Sequence, residues 1–334
     1  MALDTYPQPP PSSLQRLIRL LGTEKKDIWY IYLYALITGL ISLSLPLGIQ
    51  AVFNLVSGGL VFSSVYVLIG LVIAGVLATG LLMVGQMTLV EILQQRIFAK
   101  AAFEFTYRLP RIEPKALAAY YPPELMNRFF DVLTLQKGMP KLLIDLTAAA
   151  VQIIFGIILL SFYHPIFLGF GLFTLLAIIG ISWIYGPSGL RTSLNESKYK
   201  YKVVAWLEDL ARDLPTYRHR DDVLEPIDRM DELVASYVSY RNDHFRVLKR
   251  FFYSAVAFKT LVTGGLLILG TALVVGREMT LGQFVAAELV IVLITGSVEK
   301  LISGIDTVFD MLTAVEKIAN VTDLPLETDT PTHA

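Results

Sequence analysis

The sequence predicts an all-α membrane protein in which six crossing helices carry long polar extensions on one side. Three observations predict it. The charges are sorted: no Asp, Glu, Lys or Arg occurs between Asp27 and Glu91 or between Asp145 and Arg191, and the stretch from Thr260 to Glu299 is broken only by Arg277, Glu278 and Glu288. The composition is 54% hydrophobic and 17% charged, with a mean hydropathy of +0.58, whereas a soluble domain carries about 25% charged residues. A helix crosses a bilayer with about 20 apolar residues, so each apolar region holds two crossings joined by a short turn.

The elements follow in order. Residues 1–12 (MALDTYPQPPPS) read as a disordered tail, because the prolines supply neither core nor helix. Residues 13–26 read as an amphipathic helix lying on the membrane: Ser13 is placed to cap it, Leu14, Leu17, Ile18 and Leu21 share one face, and Arg16 and Arg19 lie off that face. The crossing unit spans 27–321, with excursions at about 91–141 and 187–250. Helix 1 covers about 27–54 and turns at Gly58-Gly59. Helix 2 begins near Phe62, stays apolar to Val90 and continues amphipathically to about Leu109, which places some 20 residues, about 30 Å at 1.5 Å per residue, beyond the bilayer. Pro110, Pro114, Pro122 and Pro123 then break the chain before a helix resumes, kinked at Pro140, as helix 3. Helix 4 starts near Ile166 and extends past Gly186-Pro187, and a second break falls at Pro215. A charged helix from about Pro226 leads into helix 5, Gly276–Thr280 is a turn, and helix 6 runs from about Leu281 to Val321. Residues 322–334 form a short polar tail.

All but one of the 28 Lys and Arg lie outside the three short turns, Arg277 being the exception. The positive-inside rule then puts both excursions and both termini in the cytoplasm and the turns outside. The expected location is a bacterial inner membrane. The absence of cysteine excludes disulfides and thiolate chemistry, and the scattered His164, His219, His244 and His333 make no metal-ligand pair. No catalytic dyad or triad is visible, and the net charge of -1 gives no reason to expect nucleic acid as a partner.

In three places the chain resembles the membrane domain of ATP-binding cassette exporters, from about Leu14 to Glu327. Glu124-Leu-Met-Asn-Arg128-Phe-Phe-Asp131-Val132 is similar to the family's first coupling helix, although Pro123 stands where glycine is usual and the Arg–Asp spacing is one residue shorter. Trp206 to Arg218 looks like the second coupling segment, and Gly276-Arg-Glu-Met-Thr-Leu-Gly282-Gln-Phe284-Val285 resembles the turn into helix 6. The resemblance implies an exporter permease that works by alternating access, pairs with a second copy or a paralogue in a lipid membrane, and is powered by an ATPase. No G-x-x-x-x-G-K-[ST] occurs in these 334 residues, so no cofactor is expected on this chain. ATP and Mg are expected on a separate nucleotide-binding subunit or on another part of a longer polypeptide.

The resemblance makes Glu124, Leu125, Met126, Arg128, Phe129, Leu207, Leu210 and Arg212 candidates for coupling to the ATPase. Leu125, Met126 and Phe129 are expected to seat in a groove, with Arg128 and Glu124 at its rim. On helix 6, Glu288, Thr295, Glu299 and Asp306 fall near one line at helical spacing. Because carboxylates at membrane depth usually face water or a partner, this stripe is expected to line a substrate pathway that favours cationic or zwitterionic cargo. An ion pair with Lys259 or Lys300 is the alternative. Two other functions stay open: a non-transporting scaffold or sensor of the same shape, and a proton-coupled carrier using Glu288.

Overall fold

A computed structural model describes residues 11–59, 63–118, 120, 122–218 and 224–327. Among them the chain is helical throughout, and the only extended pairing is an isolated bridge between Ile112 and Leu326. Six helical stretches are long and apolar enough to cross a membrane. Their ends define a short-turn end and a long stalk end.

The lead-in helix α1 is Ser13–Gly22. Ser12, not Ser13, caps it: its hydroxyl accepts from the Gln15 amide, and Gln15 reaches back to the Ser12 amide. Ser13 instead donates to Glu316 at 3.0 Å. The first crossing is split into α2 (Lys25–Ser42) and α3 (Ser44–Ser57) rather than running as one helix. The cause is Pro46, which cannot donate to the Ser42 carbonyl. A new helix begins at Ser44, so Pro46 falls in its first turn, where no donor is needed. The second crossing is α4, Ser63–Arg108, unbroken over 46 residues. Glu24, just before α2, lies between Lys100 and Arg96 of α4 and ties the start of the first crossing to the stalk.

After a 3₁₀ turn at Leu109–Arg111 come α5 (Pro114–Leu117), α6 (Pro122–Asn127) and α7 (Phe130–Pro140). The third crossing continues through a π-helical turn, Lys141–Leu146, into α8 (Thr147–Tyr163). Pro140 leaves the Gln136 carbonyl without its helical donor. The side chain of Gln94 on α4 supplies one at 2.6 Å, and Gln136 returns a bond to the Gln94 carbonyl at 3.0 Å. The helix therefore passes the proline by widening rather than ending.

The fourth crossing, α9 (Ile166–Arg212), runs straight through Pro187, and α10 (Leu214–Arg218) follows. The fifth, α11, spans Glu225–Val275. The sixth is divided at Gly304 into α12 (Leu281–Ser303) and α13 (Ile305–Thr322). A Cβ on Gly304 would stand 2.5 Å from Leu146 Cδ2 in the π turn. The break in the sixth crossing and the widened turn of the third therefore pack against each other.

The core has three parts. Phe167, Phe251, Ile291 and Ile294 centre the largest, built by α8, α9, α11 and α12. Leu93, Leu135, Met139, Leu143 and Met311 centre the second, which also receives Leu17 of α1. Phe105, Leu125 and Val321 close the stalk tip. The apolar stretch of α4, with Leu71, Leu77 and Leu81 exposed, buries almost nothing against the rest of the chain. Such a surface suits contact with lipid tails, which are as apolar as the residues themselves.

Candidate coupling surface and pathway face

The two excursions meet at the stalk end. Asn127 of α6 donates to Glu208 of α9, and Tyr201 of α9 donates its hydroxyl to the buried Asp131 of α7. The Arg128 guanidinium lies 3.9 Å from the centre of the Tyr201 ring, a distance at which a cation is drawn to the ring face. The chain after α13 joins the same structure: Glu113 N donates to Pro325 O at 3.0 Å, and Glu327 N to Arg111 O at 2.7 Å. Both tips and the end of the sixth helix thus form one platform.

Within that platform the predicted coupling residues divide. Leu125 is buried, and Phe129 packs edge-on against Phe98 and Phe105 at 5.4 and 5.5 Å. Arg128 is also buried. The expectation that Leu125 and Phe129 present an outward apolar face with Arg128 at its rim is therefore corrected. Leu125 and Phe129 point inward because Phe98, Phe105 and Val321 offer apolar surface that the tip would otherwise leave wet, and Arg128 lies over the Tyr201 ring. Met126 is exposed at 50%, and Phe130, which the sequence did not single out, at 64%. The side chain of Glu124 lies outside the described residues. In the second excursion α9 does not break at Trp206, so Leu207, Leu210 and Arg212 belong to its last turns. Leu207 is exposed, Leu210 is half-buried, and Arg212 pairs with Asp209. The short segment beyond them is α10, whose Leu214 is exposed.

The helix 6 stripe also divides. Glu288 is half-buried on α12, with no hydrogen bond or ion pair to another described residue. Thr295 is buried and returns its hydroxyl to the Ile291 carbonyl at 2.9 Å, so it does not line an open path. Glu299 is exposed and pairs with Lys259 of α11 at 2.8 Å. Asp306 accepts from His244 Nε2 at 3.2 Å, while His244 Nδ1 meets Thr192 Oγ1 at 2.9 Å. The reason is geometric. The open face of α12 runs through Leu281, Val292, Glu299 and Ser303, to one side of the predicted line. Thr295 falls just across its edge and is buried, and Asp306 lies beyond the break at Gly304. The fully buried His244, which joins α9, α11 and α13, carried no signal in the sequence, since both its partners lie more than fifty residues away.

The family profile described as ABC transporter transmembrane region matches residues 28–210, more than half of the chain. The chain belongs to that family. It is a membrane component of an ABC transporter, with six apolar crossings and an all-helical architecture that fits the exporter type of transmembrane domain. No curated protein matches it as a relative. Within this ABC transmembrane region, the match covers the first tip completely and ends at Leu210 in the last turn of α9. The helix 5 and helix 6 face lies outside it. Asp131 and Arg128 sit one turn apart in sequence, which marks a shared face. Their partner Tyr201 was not legible, because seventy residues intervene.

Proposed function

We propose that this chain is the permease part of an exporter that works by alternating access, driven by an ATPase unit outside these 334 residues. The observation that carries the reading is the platform at the stalk end: two excursions locked together by Asn127–Glu208 and Tyr201–Asp131, with Met126, Phe130, Leu207 and Leu214 left uncovered. Exposed large apolar side chains clustered on a polar rim suit a protein partner. Leu125, Arg128 and Phe129 fix the tip from within, Leu210 and Arg212 flank it, and the uncovered four meet the ATPase, with Glu124 as a further coupling candidate. The sorted Lys and Arg support a cytoplasmic platform, where the ATPase would hold ATP and Mg. A second copy or a paralogue completes the pathway.

In this reading the open face of α12 lines the path. Glu288 is its deep carboxylate, Lys259–Glu299 its inner ion pair, and the cargo carries positive charge. Glu288→Gln should slow export of a cationic cargo and leave neutral cargo unaffected.

The absence of cysteine makes the main test direct. Met126→Cys should react with a membrane-impermeant maleimide only from the cytoplasmic face, and a docked ATPase should protect it. Met126→Glu with Phe130→Glu should abolish stimulation of the co-purifying ATPase while thermal stability holds. Labelling from the outside, or stimulation that survives both changes, overturns the proposal.

A further inference from the structure

A groove of about 400 Å³ runs between α1 and α4, floored by α7 and α13. Its floor is apolar: Ile97, Phe105, Leu135 and Val315 are all buried. Its rim is basic. Arg16 and Arg19 stand on α1, and Lys100 and Arg108 on α4, against the two carboxylates Glu104 and Asp323. Glu104 is taken by Arg108, Asp323 by Arg16, and Lys100 reaches Glu24. Arg19 is exposed and has no carboxylate within ion-pair distance among the described residues.

We propose that this groove binds a single-chain anionic amphiphile, of the fatty-acid anion class, with its carboxylate on Arg19 and its chain on the apolar floor. Charge complementarity selects the head: Arg16, Lys100 and Arg108 are each paired with carboxylates, and Arg19 is the rim cation left without one among the described residues. Volume selects the body. About 400 Å³ over an apolar floor gives room for an acyl chain. Position supplies the source. Leu20 and Thr23 line the groove, and the first crossing begins at Lys25, so it opens beside the membrane edge. An occupant would bridge α1 to α4 over the end of α13, to which Arg16 already ties α1 through Glu316 and Asp323. The groove shares Phe105 with the stalk tip but contains none of the four uncovered residues assigned to the ATPase, so its occupancy is read independently of whether an ATPase docks there.

The test uses the full chain in phosphatidylcholine nanodiscs, titrated with radiolabelled oleate and, in parallel, with neutral monoolein. Oleate should bind saturably at one per chain. Arg19→Glu should weaken it by at least about tenfold, the loss expected for one charge-assisted bond, and Ala101→Trp should fill the groove and remove binding. Should either variant fold poorly, the single-cysteine variants Ala101→Cys and Phe103→Cys decide. Both lie on α4, and Phe103 faces away from the groove. Oleate should protect Ala101→Cys from maleimide and leave Phe103→Cys reactive. Equal protection of both sites, equal binding of monoolein, oleate binding untouched by Ala101→Trp, or an Ala101→Cys already shielded without lipid overturns the proposal.

Discussion

The bond between Gln94 and the Gln136 carbonyl predicts a specific non-additivity. Pro140 has no N–H, so the Gln136 carbonyl one turn earlier depends on Gln94 Nε2 at 2.6 Å. Gln94→Leu keeps the apolar bulk of the side chain and removes the donor. A buried acceptor left without a partner costs about 1–3 kcal/mol. Both glutamines are half-buried, so water recovers part of the loss, and about 1–2 kcal/mol of destabilisation is expected. Pro140→Ala restores a backbone N–H four residues after that carbonyl. In the Gln94→Leu background it should return most of what was lost, whereas in the native background the carbonyl is already satisfied. Pro→Ala also loosens the unfolded chain, by about 0.4–1 kcal/mol, but that effect is common to both backgrounds and cancels in a double-mutant cycle. The coupling energy should be about 1 kcal/mol. Unfolding in mixed micelles by SDS titration measures the four corners. If Gln94→Leu costs the same with Pro140 and with Ala at 140, within about 0.5 kcal/mol, Gln94 is not standing in for the missing donor.

Three further outcomes are expected. Tyr201→Phe keeps the ring under Arg128 but deprives the buried Asp131 of a hydroxyl donor. It should cost about 1.5–3 kcal/mol, the range for bonds to charged groups, and little in an Asp131→Asn background, read by the same titration. Gly138→Ala places a Cβ 2.4 Å from Met311 Cγ and should cost about 1–3 kcal/mol by overpacking, with Met311→Ala reducing the penalty. The bond from Lys100, supported by Arg96, holds the Glu24 carboxyl below its ordinary range even though burial works the other way. Its contribution is therefore present above the unfolded value and lost as pH falls through the folded one. Thermal melts of the native chain and Glu24→Gln should differ at neutral pH and converge in acid, and a gap independent of pH would contradict this.

Most of the architecture could be read in advance because it follows from where charge is absent. Stretches free of charge mark the crossings, and prolines mark the tips. What could not be read was which side of an amphipathic segment is covered by its own chain. Leu125, Phe129 and Arg128 share one face whether that face meets a partner or folds inward. The surfaces that decide, Phe105 and Val321, lie 20 residues before and almost 200 after. Thr295 shows the same limit on a finer scale. It stands one turn from Glu299, yet it is buried while Glu299 is open, because the edge of the packed surface passes between them. The breaks were partly visible. Pro46 and Pro140 announce a disturbance, but not whether the helix restarts, as at Ser44, or widens, as at Lys141–Leu146.

The placement of those breaks divides the six crossings into two mechanical kinds. The helices α4, α9 and α11 run unbroken for 46, 47 and 51 residues, about 70 to 77 Å at 1.5 Å per residue. A displacement at the lower end of such a rod reaches its upper end as a tilt. The third and sixth crossings are interrupted, and at the same level, where Leu146 packs on Gly304. Below that level α7 and α13 share one core through Met139 and Met311, and above it α8 and α12 share another. A pair of helices joined above and below a common weak level bends there before either core is disturbed, since close-packed cores shift as units. The sequence thus sets rods at three crossings, a shared joint at two, and a separate break at Leu43 in the first. An alternating-access cycle driven from the stalk would need that combination of stiff members and one compliant level.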